Sequence, residues 1–336
     1  MSKAEKIPIL SLFCGCGGFD LGFVAQNYNV VLALDVNEPA VETYNRNHGQ
    51  GIARVCDLAT THGRDIVKII EENGLEHPRG VIGGAPCQTF SDGNVYKKKR
   101  DPRHSLPRKY ARLLNDLNKK YSLDFFVFEN VRGLSGKTHR GTFAQFKTLF
   151  RKAGFRLFGA TLDALEFGVA QQRPRVFVVG LNAEKYPDTE FSFPVGRSKA
   201  KRTVRSKIEK LPEPVFFTRS LTPTDIKHHP NHWTMRPKSE KFWNGKLKAG
   251  QNHGRSFRVL SWDKPSWAVA YGHREIHIHP SGKRRLSVYE AMLLQGLPTW
   301  YHLTGSLSAQ VQQVSDTVPR QLGAALARQI RHCLKF

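Results

Sequence analysis

Short runs of consecutive apolar residues recur through the first half of the chain, several of them closed by an acid or a glycine. Residues 7–13 are one such run, and Val30-Val31-Leu32-Ala33-Leu34 ends in Asp35. Phe125-Phe126-Val127-Phe128 ends in Glu129, and Val176-Phe177-Val178-Val179 ends in Gly180. Between the early runs, residues 17–27 and 38–48 read as helices. Unbroken apolar runs suit strands buried on both faces, and amphipathic segments between them suit helices covering those faces. The pattern predicts a doubly wound α/β domain with a parallel sheet, in which ligands bind outside the carboxyl ends of the strands.

The pattern changes after Leu181. Residues 182–271 carry recurrent prolines, from Pro187 to Pro237, and a cationic cluster of Arg197, Lys199, Lys201, Arg202, Arg205, Lys207 and Lys210. Aromatics interleave with them, among them Phe216, Phe217, Trp233, Phe242, Trp243, Phe257, Trp262 and Trp267. This predicts a smaller, loop-rich lobe with a surface suited to nucleic acid. Helical periodicity returns at 287–295 and 319–334. The expected division is therefore 1–181 for the sheet domain, 182–271 for the second lobe, and 272–336 as a return to the sheet domain.

Charge narrows the partner. The 336 residues include 52 Lys and Arg against 28 Asp and Glu, a formal charge of +24. Such an excess points to a polyanion, and nucleic acid fits it best. No apolar run approaches the roughly 20 residues of a membrane-spanning helix. The first residues lead into a strand without a signal-peptide core, so a cytoplasmic, nucleoid-associated protein is expected. The five cysteines, Cys14, Cys16, Cys56, Cys87 and Cys333, fit neither a disulfide framework nor a Cys-x-x-Cys metal site. Free thiol chemistry is then open.

One cysteine is placed for it. In Gly83-Gly84-Ala85-Pro86-Cys87-Gln88 the thiol follows a proline at the exit of a short apolar segment. Glycine permits close approach and proline stiffens the turn, which sets Cys87 as a candidate nucleophile. On the cofactor side, Phe13-Cys14-Gly15-Cys16-Gly17-Gly18 closes the first strand and opens a helix. It is neither Gly-x-Gly-x-x-Gly nor a Walker motif, so no phosphate is indicated. Asp35 ends the second strand, placed to accept both hydroxyls of a ribose. Asp57 ends a third, suited to an exocyclic amine. An adenosine-bearing ligand without a pyrophosphate fits, and S-adenosylmethionine (SAM) is the candidate.

The order of these motifs resembles the DNA cytosine-5 methyltransferases of the bacterial modification type. The resemblance rests on Phe13 to Gly18, Asp35, Asp57, Pro86-Cys87-Gln88, Glu129-Asn130-Val131 and Gln171-Gln172-Arg173-Pro174-Arg175. It continues through Arg284-Arg285-Leu286-Ser287, Glu290-Ala291, Leu294 to Pro298, and Asp316-Thr317-Val318-Pro319. It covers residues 7–182 and 284–330, and the interval between is where the family carries its target-recognition region. The resemblance implies a SAM-dependent, Rossmann-like catalytic domain that methylates carbon 5 of cytosine in a specific duplex sequence. The base would be flipped out of the stack and held in a covalent adduct with Cys87.

Carbon 5 of cytosine is a poor nucleophile, and a thiolate added at carbon 6 turns the ring into an enamine. Glu129 resembles the residue that donates to ring N3, which requires a proton and hence a raised pKa. Asn130 would orient the loop. Arg173 and Arg175 resemble the pair that contacts the base's O2 and braces the catalytic residues. The implied cofactor contacts are Phe13, Gly15, Gly17, Gly18, Asp35, Val36, Asp57, Leu58, Pro86, Asp316 and Val318. The implied DNA contacts are Gln88, Ser91, Lys97, Lys98, Lys99 and Arg100, on a loop that closes over the duplex. The family's proline before Pro86 is Ala85 here, Thr89 replaces a small residue, and Ser315-Asp316 stands where Gly-Asn is usual. None of these removes a catalytic group. His228, His229, His232, His277 and His279 offer no complete ligand set, so no metal is expected. A monomer paired with a restriction endonuclease is expected. The competing readings are a tRNA cytosine-5 methyltransferase and a catalytically silent DNA-binding relative.

Overall fold

A computed structural model of the chain describes residues 5–85, 106–196, 202–252, 257–268 and 277–336. It divides into two compact units: Met1–Leu162 with Pro174–Val195 and Leu322–Phe336, and Asp163–Arg173 with Gly196–Gln321. Residues 86–105, which include Pro86, Cys87, Gln88, Ser91, Lys97, Lys98, Lys99 and Arg100, lie outside the described residues.

The first unit is built on a seven-stranded sheet. In chain order its elements are β1 (Ile7–Leu12), α1 (Gly18–Val24), β2 (Tyr28–Asp35), α2 (Glu38–His48), β3 (Ala53–Val55), α3 (Gly63–Glu72) and β4 (Gly80–Gly83). There follow α4 (Leu106–Tyr121), β5 (Phe125–Val131), α5 (Arg140–Lys152), β6 (Phe155–Asp163) and, after a two-residue strand β7 (Gln171–Gln172), β8 (Pro174–Asn182). The sheet order is β3-β2-β1-β4-β5-β8-β6. β1 pairs in parallel with both β2 and β4, so the strand order reverses between β1 and β4. The crevice beyond their carboxyl ends is the expected ligand position.

Burial explains the apolar runs. Every residue of β1 is buried, as are Phe125 to Phe128 of β5. On one face, Ile66 and Ile70 of α3, Leu113, Leu114 and Leu117 of α4, and Phe146 and Phe150 of α5 share a core with Leu10, Leu12, Phe126 and Phe128. On the other, Phe19 and Phe23 of α1 pack on Phe177 and Tyr28. There the Tyr28 hydroxyl donates to the Ala327 carbonyl. One strand departs from expectation: β8 runs antiparallel to β5, because an apolar run records burial and not direction.

The second unit has short elements, as its proline-rich sequence predicts: α6 (Arg205–Ile208), β9 (Val215–Phe216), β10 (Trp233–Thr234) and β11 (Ser266–Trp267). They are followed by α7 (Val288–Gln295) and α8 (Leu307–Asp316), while α9 (Arg320–Leu334) starts in this unit and ends in the first. The expected return to the sheet domain at 272 occurs instead at Leu322. Long-range polar pairs hold 284–310 within the second unit. Arg284 bonds Glu213 at 2.7 Å and Glu290 at 2.8 and 2.9 Å. Asn231 donates to the Leu303 carbonyl and to Gln310, and His232 meets Ser287 at 2.9 Å. Among the described residues no helix is long and apolar enough to cross a membrane.

Candidate active site

The glycine turn after β1 has a strained and closely fixed backbone. Phe13 adopts φ +55°, sparsely populated for a side chain with a Cβ, and Gly15 and Gly17 follow at +54° and +85°. Gly17 is the N-cap of α1. The Gly15 amide donates to Asp35 Oδ2 at 2.8 Å, while Asp35 Oδ1 accepts from the Asn37 amide at 2.8 Å. Asp35 therefore holds the turn with one oxygen and the start of α2 with the other. Each oxygen keeps acceptor capacity for a ligand hydroxyl. Burial raises the Asp35 pKa, and the Asn37, Gly15 and Val36 amides pull it back.

The third strand end lies beside the second. Asp35 pairs with Val55, and the Cys56 amide donates to the Asp35 carbonyl at 2.8 Å. Val36 is 63% and Val55 55% exposed, two apolar side chains facing outward among carboxylates. Asp57 is exposed and its Oδ1 accepts from the Ala59 amide, while Leu58 is buried. Phe13, Gly15, Gly17, Gly18, Asp35, Val36, Asp57 and Leu58 are thus brought to neighbouring strand ends of one unit.

The residues expected to be catalytic are brought together by β5, β8 and the segment leaving β4. Arg175 Nε meets Glu129 Oε1 at 3.0 Å, both side chains largely buried. The antiparallel pairing sets this contact, since Arg175 lies opposite Val131 and Phe177 opposite Glu129. Asn130 donates its side-chain amide to the Ala85 carbonyl at 3.1 Å and accepts from the Val131 amide. Gly84 lies directly against Glu129: a Cβ there would stand 2.6 Å from Oε2 and 2.9 Å from the Glu129 carbonyl oxygen. The end of β5 thereby clamps Gly84 and Ala85, the residues that lead into Pro86 and Cys87.

Cys14, Cys56 and Cys333 are poor nucleophiles. Cys14 and Cys16 are buried, and neither is in a disulfide. Burial raises the thiol pKa of Cys14, Cys56 and Cys333, with Asp35 adding to the effect at Cys14. A raised pKa suppresses the thiolate.

The sequence model for C-5 cytosine-specific DNA methylases matches residues 7–332. The chain belongs to that family. This C-5 cytosine DNA methylase is 29% identical to the Type II methyltransferase M.FnuDI of Fusobacterium nucleatum, over 98% of this chain and 95% of that one. It is 30% identical to the Type II methyltransferase M.AplI of Arthrospira platensis, over 98% and 87%. A solved E. coli structure, described as a DNA modification methyltransferase encoded within a prophage, superposes with a TM-score of 0.79 at 19% identity. That match covers 98% of this chain and 100% of the other. The activity is DNA (cytosine-5) methyl transfer.

The other described residues expected at the site of the methylase, Arg173, Asp316 and Val318, lie in the second unit. Arg173 is 1% exposed, and its guanidinium donates to the Ser315 carbonyl at 2.6 Å. Its amide donates to Asp163 Oδ1. It therefore braces the segment that carries Asp316 and Val318. Asp316 is exposed and accepts from Gln312 one turn earlier, and Val318 is buried. Sequence reasoning paired Arg173 with Arg175; the structure gives Arg175 to Glu129 and Arg173 to Ser315. It did not single out His48 and Tyr44, which pack against Gly17. Their only sequence signal is an aromatic pair at i, i+4 on α2.

Proposed function

We propose that Cys87 is the nucleophile, Glu129 the group that bonds ring N3, and Arg175 its brace. We propose SAM as methyl donor and a flipped-out cytosine in a specific duplex sequence as acceptor. The observation that carries this is the clamp at the end of β5. Glu129, fixed by Arg175, and Asn130, bonded to Ala85, hold both this carboxyl group and the approach to Cys87 on one strand end.

The residues at the ends of β1, β2 and β3 fit SAM. The glycine turn offers backbone without a phosphate-binding lysine, Asp35 offers acceptors for ribose hydroxyls, and Val36 and Val55 offer exposed apolar surface. Asp57 is an exposed acceptor for an amine. When bound, SAM supplies an electrophilic methyl group. The chain's own part begins with addition of the Cys87 thiolate to carbon 6, while Glu129 holds a proton at N3, so that carbon 5 becomes electron-rich. Once carbon 5 carries the transferred methyl group, it gives up its proton to water and the carbon 5–carbon 6 double bond re-forms. The Cys87–carbon 6 bond breaks so that the thiolate leaves, and the N3 proton returns to Glu129. Flipping costs a few kcal/mol, and we assign its offset to Gln88, Ser91 and the Lys97-Lys98-Lys99-Arg100 run. The second unit, with its basic and aromatic loops, is read as the target-recognition domain. A monomer in the cytoplasm at the nucleoid, acting beside a cognate restriction endonuclease, completes the reading; the Type II names of its relatives support the pairing with an endonuclease.

The test is methylation of random-sequence duplex DNA with radiolabelled SAM, followed by bisulfite sequencing. One short sequence context carrying all new 5-methylcytosine supports the reading. Label on RNA alone, or on no substrate, contradicts it.

A further inference from the structure

Gly17 of the glycine turn is packed by a pair of rings from the last turns of α2. Tyr44 and His48 stack with centroids 4.1 Å apart and planes 20° apart. His48 Nε2 lies 3.1 Å from the Gly17 carbonyl oxygen, which also accepts the Leu21 amide of α1 at 3.0 Å. A carbonyl only accepts, so Nε2 carries the hydrogen. Burial lowers the His48 pKa to about 4, and the ring is a neutral donor of fixed tautomer. The Tyr44 hydroxyl donates to Asp20 Oδ2 at 2.8 Å, tying the stack to the first turn of α1. A Cβ on Gly17 would stand 2.4 Å from His48 Nε2 and 2.8 Å from the Tyr44 ring. The rings leave no slack beneath the turn.

α2 thus touches the cofactor side twice. Its N-cap, Asn37, donates its amide to Asp35, and its last residue donates to Gly17. We propose that His48 is a positioning residue for the methyl donor: through the Gly17 carbonyl it sets the glycine turn at the spacing from Asp35 that SAM requires. It touches no reacting atom. The inference rests on the reading that this turn holds SAM.

The test compares His48→Leu, which keeps bulk and removes the donor, with His48→Gln, which keeps a donor. The readouts are calorimetric affinity for SAM and for S-adenosylhomocysteine, KM for SAM, kcat, duplex affinity and Tm. Loss of one neutral hydrogen bond predicts a rise of about fivefold in Kd and KM for His48→Leu. kcat at saturating SAM and duplex affinity should stay within about twofold, and His48→Gln should return cofactor affinity to near the parent value. Parent-like SAM affinity in His48→Leu overturns the proposal. So does a shared fall in cofactor affinity, duplex affinity and Tm in both variants, which marks a merely structural side chain. A parent enzyme that binds neither SAM nor S-adenosylhomocysteine overturns the underlying assignment of the turn instead.

Discussion

Gly84→Ala adds one methyl group at the point where β4's exit meets the Glu129 carboxylate, the proposed catalytic group. Its Cβ would stand 2.6 Å from Glu129 Oε2, against 3.4 Å for ordinary contact, so the carboxylate must withdraw by about 0.8 Å. The second clash, 2.9 Å to the Glu129 carbonyl oxygen, is with a strand backbone that cannot yield as easily. Glu129 is also held by Arg175 at 3.0 Å, so moving it strains or breaks that pair. A misplacement near 1 Å in a catalytic group costs on the order of 100-fold in rate. Overpacking a fixed backbone costs about 1–3 kcal/mol in stability. The expected variant is therefore folded, binds SAM with near-parent affinity, and loses between about 10-fold and 100-fold in kcat. Single-turnover methylation at saturating SAM and duplex, with calorimetry for SAM, separates these. A kcat within threefold of the parent, with Tm unchanged, would refute the placement of Glu129 against Gly84. The neighbouring Gly83 supplies a contrast. There a Cβ would lie 1.8 Å from the Leu12 carbonyl oxygen at φ +145°, so Gly83→Ala should impair folding itself.

Two further predictions follow from the cofactor side and from buried histidines. Asp57→Ala should weaken SAM binding by about five- to tenfold while leaving duplex affinity within about twofold, since Asp57 is exposed and spends only Oδ1 on the Ala59 amide; equal SAM affinity by calorimetry would remove Asp57 from the site. His277 and His279 are 5% and 7% exposed, and burial lowers both to a pKa of about 4, with Arg258 and Arg285 adding at His277 and Arg284 at His279. Unfolded histidine takes its proton near 6.5, so protons favour the unfolded chain between pH 6.5 and 4, and each ring costs about 1.4 kcal/mol per pH unit there. Asp20, raised to about 6 by burial, acts in the opposite sense and offsets about one histidine. Denaturant unfolding should therefore show stability falling by at least about 1 kcal/mol per unit as pH drops from 6.5 to 4.5; a flat or rising profile would contradict the neutral assignments.

The strands were the most legible part of the chain, because β1, β2, β5 and β8 each bury a continuous apolar run. α2 was read at its observed limits, 38–48, helped by Asn37 as cap and Pro39 in the first turn. Strand direction was not legible, and β8 runs opposite to expectation. α8 was not anticipated, since its apolar positions Leu307, Val311 and Val314 alternate with glutamines and serines that are themselves largely buried. The limit of the second unit was misplaced because the pairs that hold it, Arg284 with Glu213 and Asn231 with Leu303, lie 71 and 72 residues apart. At the candidate site, motif order pointed to Asp35, Glu129 and Arg175, and the structure sets Asp35 against the glycine turn and Glu129 against Arg175. Spacing alone could not say that Arg173 would brace Ser315, or that His48 would reach Gly17. Those contacts depend on how helices pack against the sheet.

Cys87 is proposed to bond covalently to an extruded cytosine. Duplex DNA containing 5-fluorocytosine at the methylated position, incubated with enzyme and SAM, should give a denaturation-resistant complex, because fluorine cannot leave carbon 5 as a proton does. Peptide mass spectrometry of that complex should place the nucleotide on Cys87, and Cys87→Ser should form none. An enzyme that methylates ordinary duplex yet traps no adduct, or an adduct mapped to Cys14, Cys16, Cys56 or Cys333, would contradict the account.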